Sequence, residues 1–497
     1  MTRSLLATCL LLAITLFANA QTKSIQPAAY LNYHLGWDGT SSLLKVSLDY
    51  TPATKDSTVF IYGDLKFGGQ KEIFKVLQNI ETTDKIKLTP TERKITVYHT
   101  DGGPKKISYT INGQLVGNPK RATLDELFRP LITPNLLYLV PQFFMINPVG
   151  HPAAAATIQW DSFPPGLPYF ISTAAGTAPN VKQSIPLNKQ QDVLILMGAD
   201  LIIDTYKVHG IPYYAITSKA DTLNNLKADL EPFFKDYFPG LRNFWKDDNA
   251  PYYYISVLPL LSIDKPWATG YSQKHGFVMR YSGKFDNNKK RVLAHETSHA
   301  WIGNSMQIGN DEFDNQWFGE GFNDYVTMIN LVSSGIQDKA AFLDYVNNDN
   351  LLAHYSSKVK NAPNDSIAAK FWVDKNYQTL PYKRGFIYAF YFDNQIRLAS
   401  GGKRSIRDFL LALFKINQQI HTANPTANLT LNDYIKTASR FIPEKKVRHQ
   451  LQTNLIAGNA LDFKKIKLIS GFKIDYRDSI PVLMISRTTN LRKIYSK

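Results

Sequence analysis

RVLAHETSHAWIGN, residues 291–304, contains His295-Glu296-x-x-His299 in a stretch whose apolar residues recur at helical spacing. On a helix, positions four apart lie one above the other, so imidazoles at 295 and 299 face the same way and can reach one metal ion. Val292 and Ile302 fall near the same stripe, which turns that face toward a core. Asp286 or Asn287 is placed to cap the helix start, and Gly303-Asn304 to stop it, although Lys289, Lys290 and Arg291 oppose the helix dipole. Glu296 lies between the two histidines, where a carboxylate can take a proton from a water near the metal without displacing a ligand.

A catalytic zinc takes three protein ligands and leaves one position open, so a third ligand is expected downstream. NQWFGEGFNDYVTMINLVSSG, residues 315–335, supplies one. The part after Gly319 reads as a second helix ending at Gly335, with Glu320 in its first turn and Phe322, Tyr325, Val326 and Ile329 as its apolar face. Glu320 reaches the histidines if the two helices pack across the loop at 304–316. Asp324, one turn beyond Glu320, is placed to accept the second N–H of a ligand histidine. One zinc per chain is the expectation.

HETSHAWIGN followed, after twenty residues (300–319 separating His299 from Glu320), by EGFNDYV resembles both metal helices of the gluzincin aminopeptidases, where eighteen is usual in the alanyl group. A second stretch, LPYKRGFIYAFYFDNQIRLASGGKRSIRDFLLALF (380–414), is similar to the region after the metal site of those enzymes. By position, the resemblance makes Tyr382 the donor to the oxyanion, with Tyr377 a weaker candidate. FDNQIRLASGGKRSIRDFL and DVLILMGADLIIDTYKVHG look closest to the glycyl aminopeptidase branch. Members of that branch commonly carry a peptide-binding PDZ module after the catalytic part, and the expectation here is a relative without it. The resemblance implies a β-rich amino-terminal domain, a thermolysin-like α/β catalytic domain and a helical carboxy-terminal part, acting on peptides or proteins.

One departure bears on specificity. Family aminopeptidases hold the substrate's amino terminus with a glutamate in a glycine-rich motif upstream of the metal helix. In ATGYSQKHGFVMRYSG (268–283) there is no glutamate, and Gln273 or Lys274 takes its place. A lysine there repels an ammonium group, which points to an endopeptidase or to unusual amino-end recognition. His275 is a further candidate substrate contact, with a structural role as its alternative. The competing function class is a catalytically inactive peptide- or envelope-binding protein on the same scaffold, for which the missing anchor speaks. Against it stands the full set of ligands, base and tyrosine.

The rest of the chain fits an exported multidomain protein. At 497 residues with 44% hydrophobic content, it is too long for one ordinary core. MTRSLLATCLLLAITLFANA (1–20) reads as a signal peptide, with Arg3, an apolar run from Leu5 to Phe17 and a small-x-small end at Ala18 and Ala20, implying a periplasmic or extracellular location. No later apolar stretch approaches the roughly 20 residues of a membrane helix. Cys9 is the only cysteine and falls inside this segment, which excludes disulfide frameworks and thiol nucleophiles. The formal charge of +16 is carried by scattered residues without a nucleic-acid-binding signature, so no nucleic acid partner is expected.

Residues 21–187 alternate in short runs, among them LLKVSLDY (43–50), STVFIYGDLKF (57–67), KITVYHTDGG (94–103) and KKISYTING (105–113), the last two joined by what reads as a hairpin turn at 101–104. Residues 188–400 mix strands (DVLILMGADLII, PYYAIT, YYYISVLPLL) with a helix over 222–238 and the metal helices. Residues 401–497 read as helical to about 455, with a short β-like tail containing KIKLIS and VLMIS.

Overall fold

The computed structural model describes residues 29–63, 74–113, 127–173, 179–260, 265–311, 313 and 315–496. The signal-peptide expectation at 1–20, with Cys9, lies outside the described residues. Among those described, no helix is long and apolar enough to cross a membrane.

The first region consists of sheets, because its strands alternate buried and partly exposed residues and so offer one face to a core. A six-stranded sheet runs in the order Gln183–Pro186, Ala155–Ser162, Leu31–Gly36, Leu43–Tyr50, Lys105–Asn112, Leu77–Thr82. A four-stranded sheet of Ile146–Pro148, Ser57–Tyr62, Lys94–Tyr98 and Lys85–Thr89 shares its hydrophobic cluster. Lys94–Tyr98 and Lys105–Asn112 therefore belong to different sheets, and the turn at 101–104 is not the expected hairpin. The turn residues fix only the chain reversal. Each strand finds its partners through the side chains it buries, Ile95 and Val97 in one sheet and Ile107, Tyr109 and Ile111 in the other.

A third sheet orders Tyr169–Ile171, Ile195–Met197, Leu136–Leu139 and Leu131–Thr133. Ile195–Met197 still pairs with this first region, several residues past the 187/188 division read from composition. The chain leaves it through Gly198, whose φ of 149° and contact with the Asn135 carbonyl exclude a side chain.

The second region is built on a mixed five-stranded sheet: β1 (Leu201–Val208), β2 (Ile211–Ser218), β3 (Tyr253–Pro259), β4 (Trp267–Gln273) and β5 (Gly276–Ser282), in spatial order β1-β2-β3-β5-β4. The β2–β3 and β3–β5 pairs are parallel, and the outer pairs antiparallel. Both faces of β3 are covered. Tyr254 and Leu258 join the core of the amino-terminal sheets, whereas Tyr253, Ile255 and Val257 join the helical core on the other side. β4 is an edge strand, and the same alternation directs Tyr271 toward the amino-terminal sheets and Ala268 toward the helices.

Between β2 and β3 the helix expected over 222–238 starts at Leu226, capped by Asn225, and continues through a π-helical turn (Phe233–Tyr237) to Trp245. The helical core extends from Val208 to Tyr495, so residues beyond 400 pack into the same hydrophobic cluster as the sheet. In the tail, KIKLIS is not a strand: residues Phe463–Lys465 form a 3-10 turn and the β hairpin is Phe472–Arg477 with Ile480–Ile485. The KIKLIS backbone is held by a side chain instead, Asn394 donating to the Lys467 carbonyl at 2.7 Å and accepting from the Ile469 amide at 2.8 Å. The architecture is thus a β-rich amino-terminal region, a mixed α/β part and a helical carboxy-terminal part.

Candidate metal centre

Helix α1 (Asn287–Ser298) starts where the Asp286 side chain accepts a hydrogen bond from the Lys289 amide at 3.1 Å. It ends a turn before Gly303, with His299 as its C-cap. Gly303, at φ 102°, then bends the chain over the His299 ring, where a Cβ would come within 2.8 Å of Nδ1.

The expected second helix begins earlier than Gly319, as a π-helical turn, Trp317–Phe322, that runs directly into helix α2 (Asn323–Ser334) and stops at Gly335 with φ 80°. The wide turn carries Glu320. α1 and α2 are tied by Asn323 Nδ2 donating to the His295 carbonyl at 3.0 Å and by Thr327 donating to Ser298 Oγ at 3.2 Å.

These elements bring His295, His299 and Glu320 together, with ligand-capable atoms all within 4.8 Å of one another. The two Nε2 atoms stand 3.0 Å apart, and Glu320 Oε2 lies 3.2 Å from the first and 3.5 Å from the second. His299 Nδ1 donates to the Ile302 carbonyl at 2.9 Å, and His295 Nδ1 lies 2.8 Å from Asp324 Oδ1. With both Nδ1 protons so engaged, both Nε2 atoms present lone pairs to one point. Glu320 Oε2 is buried with no hydrogen-bond partner. Three converging electron-pair donors, one of them an orphaned carboxylate oxygen, suit a tetrahedral divalent cation with one open position. Zinc fits this donor set.

The surroundings support the ligands. Asp324 Oδ2 accepts from the Tyr345 hydroxyl at 2.8 Å, so both oxygens of Asp324 are fixed. Burial favours neutral imidazole at His295, but Asp324 and Glu320 outweigh it and raise its pKa well above the usual value. Glu320 is held well below the usual carboxylate range: its burial acts upward, and His299 and His295 pull it down. The pocket is thus electronegative toward a cation.

Glu296 shares α1 with the histidines and points to β4. A Cβ on Gly270 would lie 2.3 Å from Glu296 Cγ and 2.6 Å from Oε1, so the edge strand passes directly over this carboxylate. Burial raises the Glu296 pKa, which suits a group that must accept and then release a proton.

Tyr382 is on helix α3 (Lys375–Ala399), its ring 6.1 Å from that of His295. Two glycines bring α3 this close. A Cβ on Gly385 would strike the Trp317 carbonyl at 2.1 Å, and one on Gly321 would strike Gly385 Cα at 2.3 Å. Burial, then Glu320, Asp324 and Glu296, push the Tyr382 phenol well up, so it stays protonated and can donate. Tyr377 is elsewhere: its hydroxyl accepts from Lys370 Nζ at 3.1 Å.

His295, Glu296, His299, Glu320, Asp324 and Tyr382 line a cavity of about 1400 Å³ bounded by β4 and the amino-terminal region on one side and by Phe371 and Trp372 on another; Tyr377 does not. At the end of β4 the alternation distinguishes the two candidates for the missing glutamate. Gln273, 2% exposed, faces the amino-terminal region with Tyr271 and donates to the Gln191 carbonyl at 2.9 Å, whereas Lys274 is exposed in the turn that follows. His275 does not line the cavity; its ring stands 5.2 Å from that of Tyr252, and burial, then Lys274 and Arg242, lower its pKa to about 4. Sequence reasoning missed Gly270, Tyr345 and Asp192 as parts of this site. Only Gly270 left a signal, as a glycine inside a strand-like run.

Residues 278–437 match the Peptidase family M1 domain. Among solved structures, an aminopeptidase N family protein from Idiomarina loihiensis is similar at 14% identity and a TM-score of 0.68, covering 87% of this chain and 77% of its own. An M1 zinc metallopeptidase from Deinococcus radiodurans is similar at 11% identity and a TM-score of 0.48, covering 88% of this chain and 96% of its own. No curated protein matches the chain.

Proposed function

We propose that this chain, a zinc metallopeptidase of the gluzincin superfamily carrying an M1 peptidase domain, hydrolyses peptide bonds with His295, His299 and Glu320 holding the metal and Glu296 as general base. Zinc bound by those three residues supplies a Lewis acid that polarises the scissile carbonyl and acidifies the attacking water. Asp324 and the Ile302 carbonyl keep the two imidazoles in the tautomer that presents Nε2. An extended substrate lies along the free edge of β4, which sets its scissile carbonyl beside Gly270 and therefore beside Glu296.

Glu296 takes the proton of the attacking water as the C–O bond forms and delivers it to the leaving amine as the C–N bond breaks. The Tyr382 hydroxyl donates to the oxygen of the tetrahedral intermediate, where negative charge develops. The observation that carries this reading is the convergence of two Nε2 lone pairs and an unpartnered Glu320 oxygen below a strand edge that touches Glu296. Recognition of the substrate's amino end is atypical, since an amide, Gln273, occupies the strand position facing the amino-terminal region. The glycyl aminopeptidase branch is the proposed affiliation, and the segment 1–20 is the proposed export signal, checked by the amino-terminal sequence of the protein recovered outside the cytoplasm.

A quenched peptide library tests the mechanism, with zinc-loaded protein, chelator-treated protein and a Glu296→Gln variant. Chelation abolishes cleavage, and Glu296→Gln retains zinc while kcat falls by about 10²–10⁴. Cleavage that survives zinc removal, or its absence across the library with zinc bound, refutes the reading.

A further inference from the structure

Beyond His295 the cavity continues along α1 into a recess lined by Arg291, Val292, Tyr345 and Lys383. Arg291 precedes His295 by one helical turn, about 6 Å toward the start of α1 on the same face. Its guanidinium lies over the Tyr345 ring, 4.0 Å from the centroid, and is taken up by Asp349 at 2.7 Å and by Asn288 at 2.5 Å. Lys383 reaches the same ring from α3, with Nζ 5.9 Å from the centroid. The acids nearby are also engaged: Asp349 by Arg291, Asp324 by His295 and the Tyr345 hydroxyl, Glu320 by the two histidines. Among the described residues, Lys383 Nζ forms no hydrogen bond and no ion pair. Burial lowers its pKa, against the pull of Asp324, so the ammonium has lost water without gaining a counter-ion in contact.

Two contacts fix how β4 runs past α1. Asn304, just beyond the carboxy-terminal end of α1, donates from Nδ2 to Ser272 Oγ at 2.8 Å, and Gly270 rests on Glu296 further back along the helix. Moving from Ser272 to Gly270 along β4 is therefore moving from the end of α1 toward its start. Ala268, the next position turned to the helices, and Val292 both pack against the helical core. The recess of Arg291 and Lys383 thus lies past Glu296 in the direction of the first residues of β4.

A peptide pairing antiparallel with β4, the slightly more stable arrangement, runs from Ser272 toward Trp267 and sends the part that follows the scissile bond into this recess. The turn of α1 between His295 and Arg291 equals one to two strand steps of about 3.4 Å, so the residue directly after the bond comes within reach of Lys383. An ammonium with three free donors is satisfied by a carboxylate, which brings the opposite charge and accepts at both oxygens. We propose that Lys383 binds a substrate carboxylate on the leaving side of the scissile bond, either an acidic side chain on the residue that follows the bond or that residue's free carboxyl terminus. The inference rests on the hydrolytic reading above and gives it a substrate class. The formal charge of +16 favours the approach of such anionic peptides.

The test uses peptides that differ only in carrying glutamate, glutamine or lysine after the bond, and a dipeptide with its carboxyl end free or amidated, assayed on wild type, Lys383→Met, Lys383→Arg and Lys383→Glu. A hydrogen bond to a charged group corresponds to a roughly 10–100-fold effect. Wild type favours glutamate over glutamine, or the free over the amidated dipeptide, by that factor in kcat/KM; the first result identifies an acidic side chain, the second a terminal carboxylate, and either supports the subsite. Lys383→Met loses the preference chiefly through KM, Lys383→Arg keeps part of it, and Lys383→Glu turns it toward lysine. Equal cleavage within both pairs by wild type, a preference that follows the residue before the bond, or one undiminished in Lys383→Met overturns the subsite while leaving hydrolysis intact. Calorimetric titration of the same pairs into zinc-loaded Glu296→Gln protein decides the subsite without turnover: tighter binding of the carboxylate form supports it, and equal binding refutes it. Absence of cleavage by wild type together with tighter binding of the carboxylate form would refute hydrolysis alone.

Discussion

Gly270→Ala separates the placement of the base from the binding of the metal. The added methyl would come within 2.3 Å of Glu296 Cγ and 2.6 Å of both Cδ and Oε1, where carbon contacts normally settle near 3.5–4.0 Å. Glu296 must therefore retreat by about 1 Å or more. The clash is with the flexible end of a side chain rather than with backbone, so the cost in stability stays near the low end of overpacking, about 1 kcal/mol. The three atoms nearest the added methyl all belong to Glu296. A displacement of about 1 Å in a reacting group corresponds to roughly 10²-fold in rate. The expected outcome is a kcat about 10²-fold lower, with stoichiometric zinc by metal analysis and an unfolding midpoint close to wild type. A variant that keeps kcat within about threefold would show that the strand edge does not set the position of the base, and the substrate path along β4 would have to be abandoned.

Three further outcomes follow from the same geometry. Gly385→Ala places a methyl 2.1 Å from the Trp317 carbonyl, a backbone atom that cannot give way, so α3 moves off the π turn; thermal unfolding should show a loss of about 1–3 kcal/mol and kcat should fall as Tyr382 retreats. Asp324→Asn offers an amide where His295 Nδ1–H and the Tyr345 hydroxyl both seek an acceptor, and competition with a chromogenic chelator should show zinc affinity about 10–100-fold weaker. His354 is 3% exposed and its pKa is lowered to about 3, first by burial and then by Arg384 and Lys360. The folded state binds this proton less readily than the unfolded chain, so the stability it contributes is full above the unfolded value near 6.5 and declines as pH falls toward 3. That amounts to about 2 kcal/mol at pH 5, and denaturant titrations at pH 7 and pH 5 should show a shallower pH dependence in His354→Gln than in wild type.

Periodicity exposed what depends on near neighbours. Four-residue spacing put His295 and His299 on one face, and the three-to-four residue steps after Gly319 put Glu320, Asp324 and a buried apolar face on one helix. A cap at Asp286 or Asn287 was legible for the same reason, since a cap acts on an amide three residues away, and Asp286 is the one that accepts from the Lys289 amide. Where a partner comes from a distant segment, the pattern misled. KIKLIS alternates like a strand but has its backbone bonded by the Asn394 side chain, and the turn at 101–104 reverses the chain without pairing the strands it joins. Gln273 and Lys274 were equivalent by motif until β4 acquired a face against the amino-terminal sheets.

The sequence by itself determined which residues offer lone pairs and protons, and on which elements, because helix and strand periods are local properties of the backbone. Tertiary structure alone decided that a π turn aims Glu320, that Gly321 and Gly385 let α3 carry Tyr382 to the histidines, that Gly270 rests on Glu296, and that Asp192 lines the cavity. Each of these depends on close approach between segments far apart in the chain, a distance set by packing and steric exclusion rather than by residue spacing.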